Sequence, residues 1–281
     1  MYIKLDLSIC NNIIKEYNNG LSRNKLSIKY GVAHRTITNI INRNGRDRIK
    51  PNSKYSVKED YFELIDSEEK AYWLGFLYAD GFVQEKNKSL ITGILLKDLD
   101  HIEKFKNSIE SNGTIKKATT NGNWYLYIYN KKFSQHLVDK GCVPNKTKKI
   151  EFPKINKSLV RHFIRGFFDG DGSITCTDKT IQMSICCAQM DFLNELVRKM
   201  YEISGINKGV KLYKNKSGLN IYVCALRNDL LNIYKMLYEN SNLFLDRKKQ
   251  IFDYMYNNHV EIYKLINKKN WERRKNKKLC I

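Results

Sequence analysis

The sequence predicts an α+β protein made of two related halves with an αββαββα order, related by a pseudo-two-fold axis, behind a small all-α amino-terminal domain. Two hydrophobic helical segments are nearly the same, Trp73–Gly81 and Ile164–Gly172, and each ends in Asp-Gly. Each is followed by two β-like segments and a helix, in the same order. Their separation is that of a domain-sized repeat rather than a solenoid period. Residues 1–50 instead show helical periodicity.

The amino-terminal segment predicts three short helices, Asn11–Tyr17, Lys25–Tyr30 and Thr36–Asn42. Ser22 is a suitable cap for the second helix, and Gly31 is placed to end it. Short helices joined by a glycine-containing turn fit a helix-turn-helix.

Residues 26–37 resemble such units in resolvases and phage DNA-binding domains. The resemblance implies that the third helix enters the major groove, with these DNA-facing residues: His34, Arg35, Thr36, Asn39 and Arg43. A small protein-interaction domain is the alternative.

Composition suggests the remaining boundaries. Residues 51–65 predict a basic linker that either lies along the minor groove or is simply flexible. The two halves are predicted at 66–155 and 156–265. Residues 266–281 form a run of charge, which predicts a solvated tail that contacts phosphates non-specifically.

The two motif helices carry small residues four positions apart, Gly75 and Ala79 in one and Gly166 and Gly170 in the other. Such residues share a helix face and permit close backbone packing. The pair predicts a tight helix seam that brings the following acids, Asp80 and Asp171, to the same end. Gly81 and Gly172 are expected to end the helices in a left-handed conformation.

Two carboxylates at adjacent helix ends repel each other and the helix dipoles. A divalent cation relieves that repulsion, and Mg²⁺ takes one or two carboxylates together with water and phosphate oxygens. The pair therefore predicts a metal site for phosphodiester hydrolysis. A single Asp-Gly is more simply a turn, but the extended repeat favours the metal site.

The segments after the motifs predict strands and helices at corresponding places. In the first half these are Leu90–Leu96, Trp124–Tyr129 and Lys132–Asp139. In the second half they are Ile181–Cys186, Asn220–Leu226 and Asp229–Tyr238. Basic clusters follow in both.

Over residues 66–255 the chain resembles the monomeric, two-motif LAGLIDADG homing endonucleases. The resemblance implies that the motif helices form the interface between the halves. It also implies metal ligation at the eighth motif residues and their following glycines, at Asp80, Gly81, Asp171 and Gly172. Trp73 and Ile164 depart from the leucine of the pattern at its first position. The sixth position differs between the copies, with Tyr78 in one and Asp169 in the other.

The resemblance further implies a lysine near each metal site. Aligning the basic clusters favours Lys148 and Lys248, with Lys149 and Lys249 as open alternatives. Contact with phosphates or solvent is the other interpretation of all four.

The strands of each half are expected to form a saddle in the major groove, with polar side chains on bases and tyrosines facing outward. Aromatic residues at alternate positions are also typical of sheet packing. Candidate groove residues are Gln84, Lys86, Lys88, Thr92, Asn123, Thr175, Thr177, Lys179, Gln182, Lys214 and Lys216.

Composition favours nucleic acid over membrane. The 281 residues carry a formal charge of +21, which suits binding to phosphates, and no stretch approaches the length of a membrane helix. Seven scattered cysteines show no zinc spacing and fit a reduced, cytoplasmic protein. A bacterial, phage or mobile-element context is expected.

Together these observations predict a monomeric, Mg²⁺-dependent endonuclease, with Mn²⁺ as a substitute, that cuts both strands of a double-stranded DNA site. A transcriptional repressor and an RNA-splicing maturase remain the alternatives.

Overall fold

The computed structural model describes residues 6–44, 55–86, 89–119 and 122–279, without the side chains of residues 43, 44, 148 and 273–279. The chain divides into two compact units, residues 1–56 and 57–281. Each unit has its own hydrophobic core.

The amino-terminal unit contains three helices, α1 (Leu7–Asn18), α2 (Arg23–Tyr30) and α3 (His34–Asn44). The Ser22 hydroxyl accepts the Lys25 amide at 3.3 Å, and Gly31 ends α2 at φ 61°, so the predicted cap and stop are confirmed. The core of this unit consists of Ile13, Tyr17, Leu26, Ile37 and Ile41.

The larger unit confirms the predicted αββαββα order in both halves. The first half comprises α4 (Glu68–Ala79), β1 (Gly81–Lys86), β2 (Ser89–Leu96), α5 (Leu99–Ser108), β3 (Lys116–Lys117), β4 (Trp124–Ile128) and α6 (Lys131–Asp139). The second half comprises α7 (Val160–Asp171), β5 (Gly172–Cys176), β6 (Ile181–Cys187), α8 (Met190–Ser204), β7 (Leu212–Lys214), β8 (Asn220–Cys224) and α9 (Arg227–Tyr238).

The two sheets have the same antiparallel topology, β1-β2-β4-β3 and β5-β6-β8-β7. Each has an inner face of buried side chains packed towards the helices and an outer face of alternate residues, as the strand period requires. Val83, Ile94 and Leu126 lie on the inner face of the first sheet, and Ile174, Met183 and Tyr222 on that of the second.

Helices α4 and α7 pack against each other along the predicted small-residue seam. A methyl group at Gly75 would collide with the Phe163 carbonyl, and one at Gly166 would collide with the Tyr72 carbonyl. Residues 71–78 of α4 are all buried, as are nine of the twelve residues of α7. Burial on several faces explains why α4 is apolar on all sides, whereas the buried part of α7 also includes Arg165 and Asp169.

The chain continues after α9 into a long helix, α10 (Asp246–Leu279). Residues 266–279 belong to this helix, and the side chains of residues 267–272 are exposed. The charged segment that was predicted as a solvated tail is therefore solvent-exposed but helical. The helix is anchored because one stripe of it joins the core, through Phe252, Met255, Ile262 and Ile266.

Candidate metal centre and nucleic-acid interface

The two predicted acids lie together at the ends of the central helices. Asp80 directly follows α4 and donates its amide to the Phe76 carbonyl at 2.9 Å, while Asp171 is the last residue of α7. A Cβ added at Gly170 would lie 3.5 Å from Asp80 Oδ2. The carboxylate of one half therefore sits beside the helix end that carries the carboxylate of the other.

Gly81 and Gly172 serve a different purpose from the predicted one. Neither has a positive φ, and Gly172 is extended at φ −77° and ψ 160°. A Cβ would instead collide with Leu77 at Gly81 and with Phe168 at Gly172. Glycine is required here because each strand starts against the helix that precedes it, not because of a left-handed helix end.

Both carboxyl groups have raised pKa values. Burial between the helix ends, and then the proximity of Asp80, raise the pKa of Asp171 to about 6, although its side chain reaches solvent. Burial likewise raises the pKa of Asp80, against the opposing effect of Lys248, Lys146 and Arg247. The site thus holds two anionic groups that burial and like charge disfavour.

A lysine of each half holds the end of its motif helix. Lys248 Nζ is buried and donates to the carbonyls of Phe168, Asp169 and Gly170 at 2.8, 2.6 and 2.9 Å. Burial lowers the pKa of Lys248 to about 8. Lys146 Nζ donates to the Ala79 carbonyl at 2.9 Å.

The structure therefore pairs Lys248 with Lys146, a residue that the alignment of the basic clusters did not select. The ammonium groups of Lys248 and Lys146 oppose the effect of burial on the pKa values of both Asp80 and Asp171. The side chain of Lys148 lies outside the described residues, so its role stays a prediction. Lys249 forms an ion pair with Asp253 at 2.7 Å, away from the carboxylates.

The unequal sixth motif residues take different structural roles. Asp169 is fully buried and accepts hydrogen bonds from Tyr72 at 2.8 Å, Tyr238 at 2.6 Å and the Leu245 amide at 2.8 Å. Its counterpart Tyr78 donates to the Lys140 carbonyl. The two copies of the motif therefore differ in how the sixth residue is held in the core. Asp169 belongs to a buried hydrogen-bond network, whereas Tyr78 donates one hydrogen bond to a backbone carbonyl.

The candidate groove residues fall into two groups. Gln84 and Lys86 are exposed on the outer face of the first sheet, and Thr175 and Gln182 lie opposite each other on that of the second. Lys214 is exposed at the end of β7. Of the further candidates, Lys88 lies outside the described residues.

Thr92 was placed on the wrong face. It is opposite Val83 and Ile128, is buried, and shares a 2.8 Å hydrogen bond with Ser134. Thr177 is also engaged, since its hydroxyl accepts the amides of Lys179 and Thr180 in the β5–β6 turn at 3.2 and 3.1 Å.

In the amino-terminal unit, His34, Arg35 and Asn39 are exposed on α3, and Thr36 is partly exposed, whereas Ile37 and Ile41 form its core face. The side chain of Arg43 lies outside the described residues. Contact of this helix with DNA stays a prediction.

The donor set at the helix ends fits a hard divalent cation. The protein donors there are the Asp80 and Asp171 carboxylates; within the described chain no group of three or more His, Cys, Asp and Glu side chains could hold a metal. Two carboxylates with water and phosphate oxygens are a typical Mg²⁺ set, and the cation would offset the burial and the like charge of Asp80 that raise the pKa of Asp171.

Comparison with known families agrees with this architecture. Residues 158–273 match the LAGLIDADG-like domain, and residues 69–137 match the WhiA LAGLIDADG-like domain. Each match contains one of the two motif helices. The predicted resemblance to LAGLIDADG domains is therefore confirmed for both halves, and the match of the first half is to the WhiA type of this domain.

An uncharacterized protein of Methanocaldococcus jannaschii is 24% identical over 151 residues, which are 51% of this chain and 52% of that protein. The chain thus spans about half the length of this curated relative.

Three solved structures are similar at low identity. The homing endonuclease I-WcaI bound to its DNA recognition sequence is 15% identical, with 73% of this chain and 94% of that chain covered and a TM-score of 0.49. The LAGLIDADG meganuclease I-AabMI bound to uncleaved DNA is 12% identical, with 70% of this chain and 97% of that chain covered and a TM-score of 0.48. The amino-terminal LAGLIDADG domain of WhiA is 14% identical, with 71% of this chain and 90% of that chain covered and a TM-score of 0.42.

Across the four described ranges, no helix combines the length and the apolar character needed to span a bilayer.

Proposed function

Since this chain contains two LAGLIDADG-like domains, we propose that it is a site-specific endonuclease that hydrolyses both strands of duplex DNA in the presence of Mg²⁺, as intron homing would require. One observation carries the proposal. Asp80 and Asp171 converge at the adjoining ends of α4 and α7, where the seam leaves no room for a side chain between the helices. Two partly buried carboxylates at helix carboxyl ends destabilise the folded protein. A role in holding a catalytic metal explains why both are nevertheless present.

The carboxylates of Asp80 and Asp171 are the groups that would hold Mg²⁺, or Mn²⁺ in its place. When bound, the metal activates water and stabilises the leaving oxygen of a scissile phosphate. The residues around it keep the acids in position. Lys248 and Lys146 neutralise the carbonyl ends of α7 and α4, so two anionic side chains can be held there in a fixed geometry.

Charge and sheet shape support duplex DNA as the substrate. The net charge of +21 favours phosphate binding, and each lobe presents the exposed outer face of a four-stranded sheet. One chain provides both lobes, so a monomer suffices to contact two half-sites. The amino-terminal unit, through Arg35 and Asn39 on α3, extends the contact to further base pairs.

The direct test is substitution of each acid with its amide. Asp80→Asn and Asp171→Asn should abolish double-strand cleavage of a library-selected DNA site in Mg²⁺ while retaining binding to it in Ca²⁺. Asp100→Asn, which alters an exposed acid of α5, is the matched control and should cut like the parent. Parental cleavage by both site variants would refute the metal assignment.

A second candidate is a transcriptional repressor that binds DNA through the same surface and through the exposed residues of α3. A maturase that binds its intron RNA is a third use of the scaffold. Binding of the selected duplex without cleavage in either Mg²⁺ or Mn²⁺ would favour the repressor, and preference for the intron transcript over that duplex would favour the maturase.

A further inference from the structure

The two sheets carry different side chains at equivalent positions on the strands of their outer faces. Backbone pairing places Phe82, Gly93 and Tyr127 side by side across the first sheet. The same register in the second sheet aligns Ser173, Ser184 and Val223. In the adjoining pair, Gln84 and Ile91 of the first sheet correspond to Thr175 and Gln182 of the second.

The outer face of the first sheet is aromatic. The Phe82 ring covers Gly93, where any Cβ would strike it, and its centroid lies 5.7 Å from that of Tyr127. Tyr125 and Tyr129 continue the row at 5.1 and 6.2 Å from Tyr127. Tyr127 and Tyr129 are 38% and 65% exposed. Amide and ammonium groups lie on the same face at Gln84, Lys86 and Lys116.

The outer face of the second sheet is polar on β5 and β6, whereas Ile221, Val223 and the exposed Tyr213 continue the same face on β8 and β7. Ser173 and Thr175 are exposed, and Gln182 and Ser184 are partly exposed. Within the described part of the chain, no side-chain hydrogen bond engages these four residues. Their hydroxyl and amide groups are therefore available to an external partner, in contrast to the hydroxyl of Thr177 in the neighbouring turn.

We propose that the two lobes select their half-sites by different chemistry, a refinement that rests on the proposed function. The first lobe selects thymine through apolar contact of its aromatic rings with the C5 methyl group, the apolar group on the major-groove edge of that base. The second lobe selects bases through hydrogen bonds from Ser173, Thr175 and Gln182 to their donor and acceptor atoms. One half-site is thus rich in A·T pairs, and the other is read base by base.

The test uses the full-length protein and a duplex selected by binding in Ca²⁺. Deoxyuridine replaces thymidine in one half-site at a time, which removes only the methyl group, and 7-deazapurines replace purines, which removes the N7 acceptor. Uracil should weaken binding about fourfold per contacted methyl group in one half-site only, as expected for the loss of one buried methyl group. The 7-deazapurines should have their main effect in the other half-site.

Variants assign each effect to a lobe. Tyr127→Ala should remove the uracil effect and leave the 7-deazapurine effect, whereas Gln182→Met should do the reverse while keeping side-chain length. Tyr254→Ala, at an exposed tyrosine of α10, is the control and should change neither.

Equal uracil effects in both half-sites, or a uracil effect that survives Tyr127→Ala, would overturn the inference. A selected site that shows the expected asymmetry but is never cut in Mg²⁺ would overturn the nuclease proposal alone. Failure to select any site would overturn both.

Discussion

At the scale of single residues, the ends of the motif helices depend on two ammonium groups of unequal burial. Lys248 is buried and donates to three carbonyls at the end of α7, whereas Lys146 is partly exposed and donates to one carbonyl at the end of α4. Charged hydrogen bonds of this kind contribute most where water cannot replace them. The second half therefore depends more strongly on its lysine.

Methionine substitution tests this difference. Lys248→Met should lower the free energy of unfolding by about 3 kcal/mol, because it leaves buried carbonyls unpaired, and Lys146→Met by about 1 kcal/mol. Lys249→Met removes a partly exposed i,i+4 ion pair with Asp253 and should change stability by less than about 0.5 kcal/mol. Urea unfolding measures all three. Equal losses for Lys248 and Lys249 would contradict a capping role.

His101 is a buried residue that no pattern in the sequence singles out. It is enclosed by Tyr72, Trp73 and Phe76, and its Nε2 donates to the Tyr72 hydroxyl at 3.1 Å, because the proton of that hydroxyl goes to Asp169. The pKa of His101 is lowered to about 3, chiefly by burial. The unfolded chain binds a proton near pH 6.5 that the folded chain does not bind. The contribution of His101 to the free energy of unfolding is therefore fully present above pH 6.5 and is lost as the pH drops towards 3.

His101→Phe, which keeps a ring and removes the titration, should flatten this acid limb. Between pH 7 and pH 4 the parent should lose up to about 3 kcal/mol more than the variant, as measured by urea unfolding at a series of pH values. Parallel pH profiles for the two proteins would show that His101 does not titrate on unfolding.

The orientation of a side chain could be predicted from the sequence only where the neighbouring residues show which face of the helix or strand is buried. Asp80 and Asp171 could be identified because each is fixed to the end of a conspicuous helix. Thr92 could not be oriented, since Leu90–Leu96 is apolar on both faces and shows no period of two. Lys146 was not selected because the alignment of the basic clusters matched Lys148 to Lys248, whereas Lys146, the first residue of a short 3₁₀ helix (Lys146–Lys148), is the lysine that donates to the end of α4.

At the scale of elements, the seam between α4 and α7 is the most demanding contact in the fold. Backbone carbonyls of each helix occupy the space that a side chain would need at Gly75 and Gly166. A methyl group there must separate two helices whose remaining faces are buried in both lobes, so the strain cannot be relieved locally.

Gly166→Ala should therefore destabilise the protein by about 3 kcal/mol or more and should separate Asp80 from Asp171, with loss of cleavage. Gly209→Ala is the matched control, because no atom lies within 4 Å of the added methyl group. It should be neutral or stabilising by up to about 1 kcal/mol. Thermal unfolding and cleavage of the selected duplex measure the two effects, and tolerance of both substitutions would contradict the tight seam.

Elements were predictable where local pattern and tertiary context agree. The tyrosine-rich strands and the helices after them lie within a few residues of their predicted bounds, because their alternation and capping are local features. No helix was predicted after residue 238, and the charge run from residue 266 is typical of a solvated tail. Helix α10 instead spans Asp246–Leu279, and its buried apolar residues up to Ile266 pack on the core, a contact that is not visible in composition.

At the scale of the whole molecule, two separate cores share one strongly basic chain. Residues 57–281 contain both lobes and the complete acid pair, whereas residues 1–56 have a core of their own. The proposed chemistry therefore belongs to the larger unit, and the amino-terminal unit is expected to add affinity and to lengthen the bound DNA site. Each lysine or arginine that binds a phosphate should add to the salt dependence of DNA affinity.

Deletion of residues 1–56 should leave a protein that unfolds cooperatively and cuts the selected duplex, but binds it at least about tenfold more weakly at about 0.15 M salt. The slope of log affinity against log salt should become shallower by about 0.9 for each phosphate that the shortened protein no longer binds. Within the full chain, Arg35→Ala with Asn39→Ala should reproduce part of the affinity loss, because both side chains are exposed on α3. Titrations of labelled duplex at a series of salt concentrations measure both quantities. Unchanged affinity and slope after the deletion would mean that the amino-terminal helices bind something other than DNA.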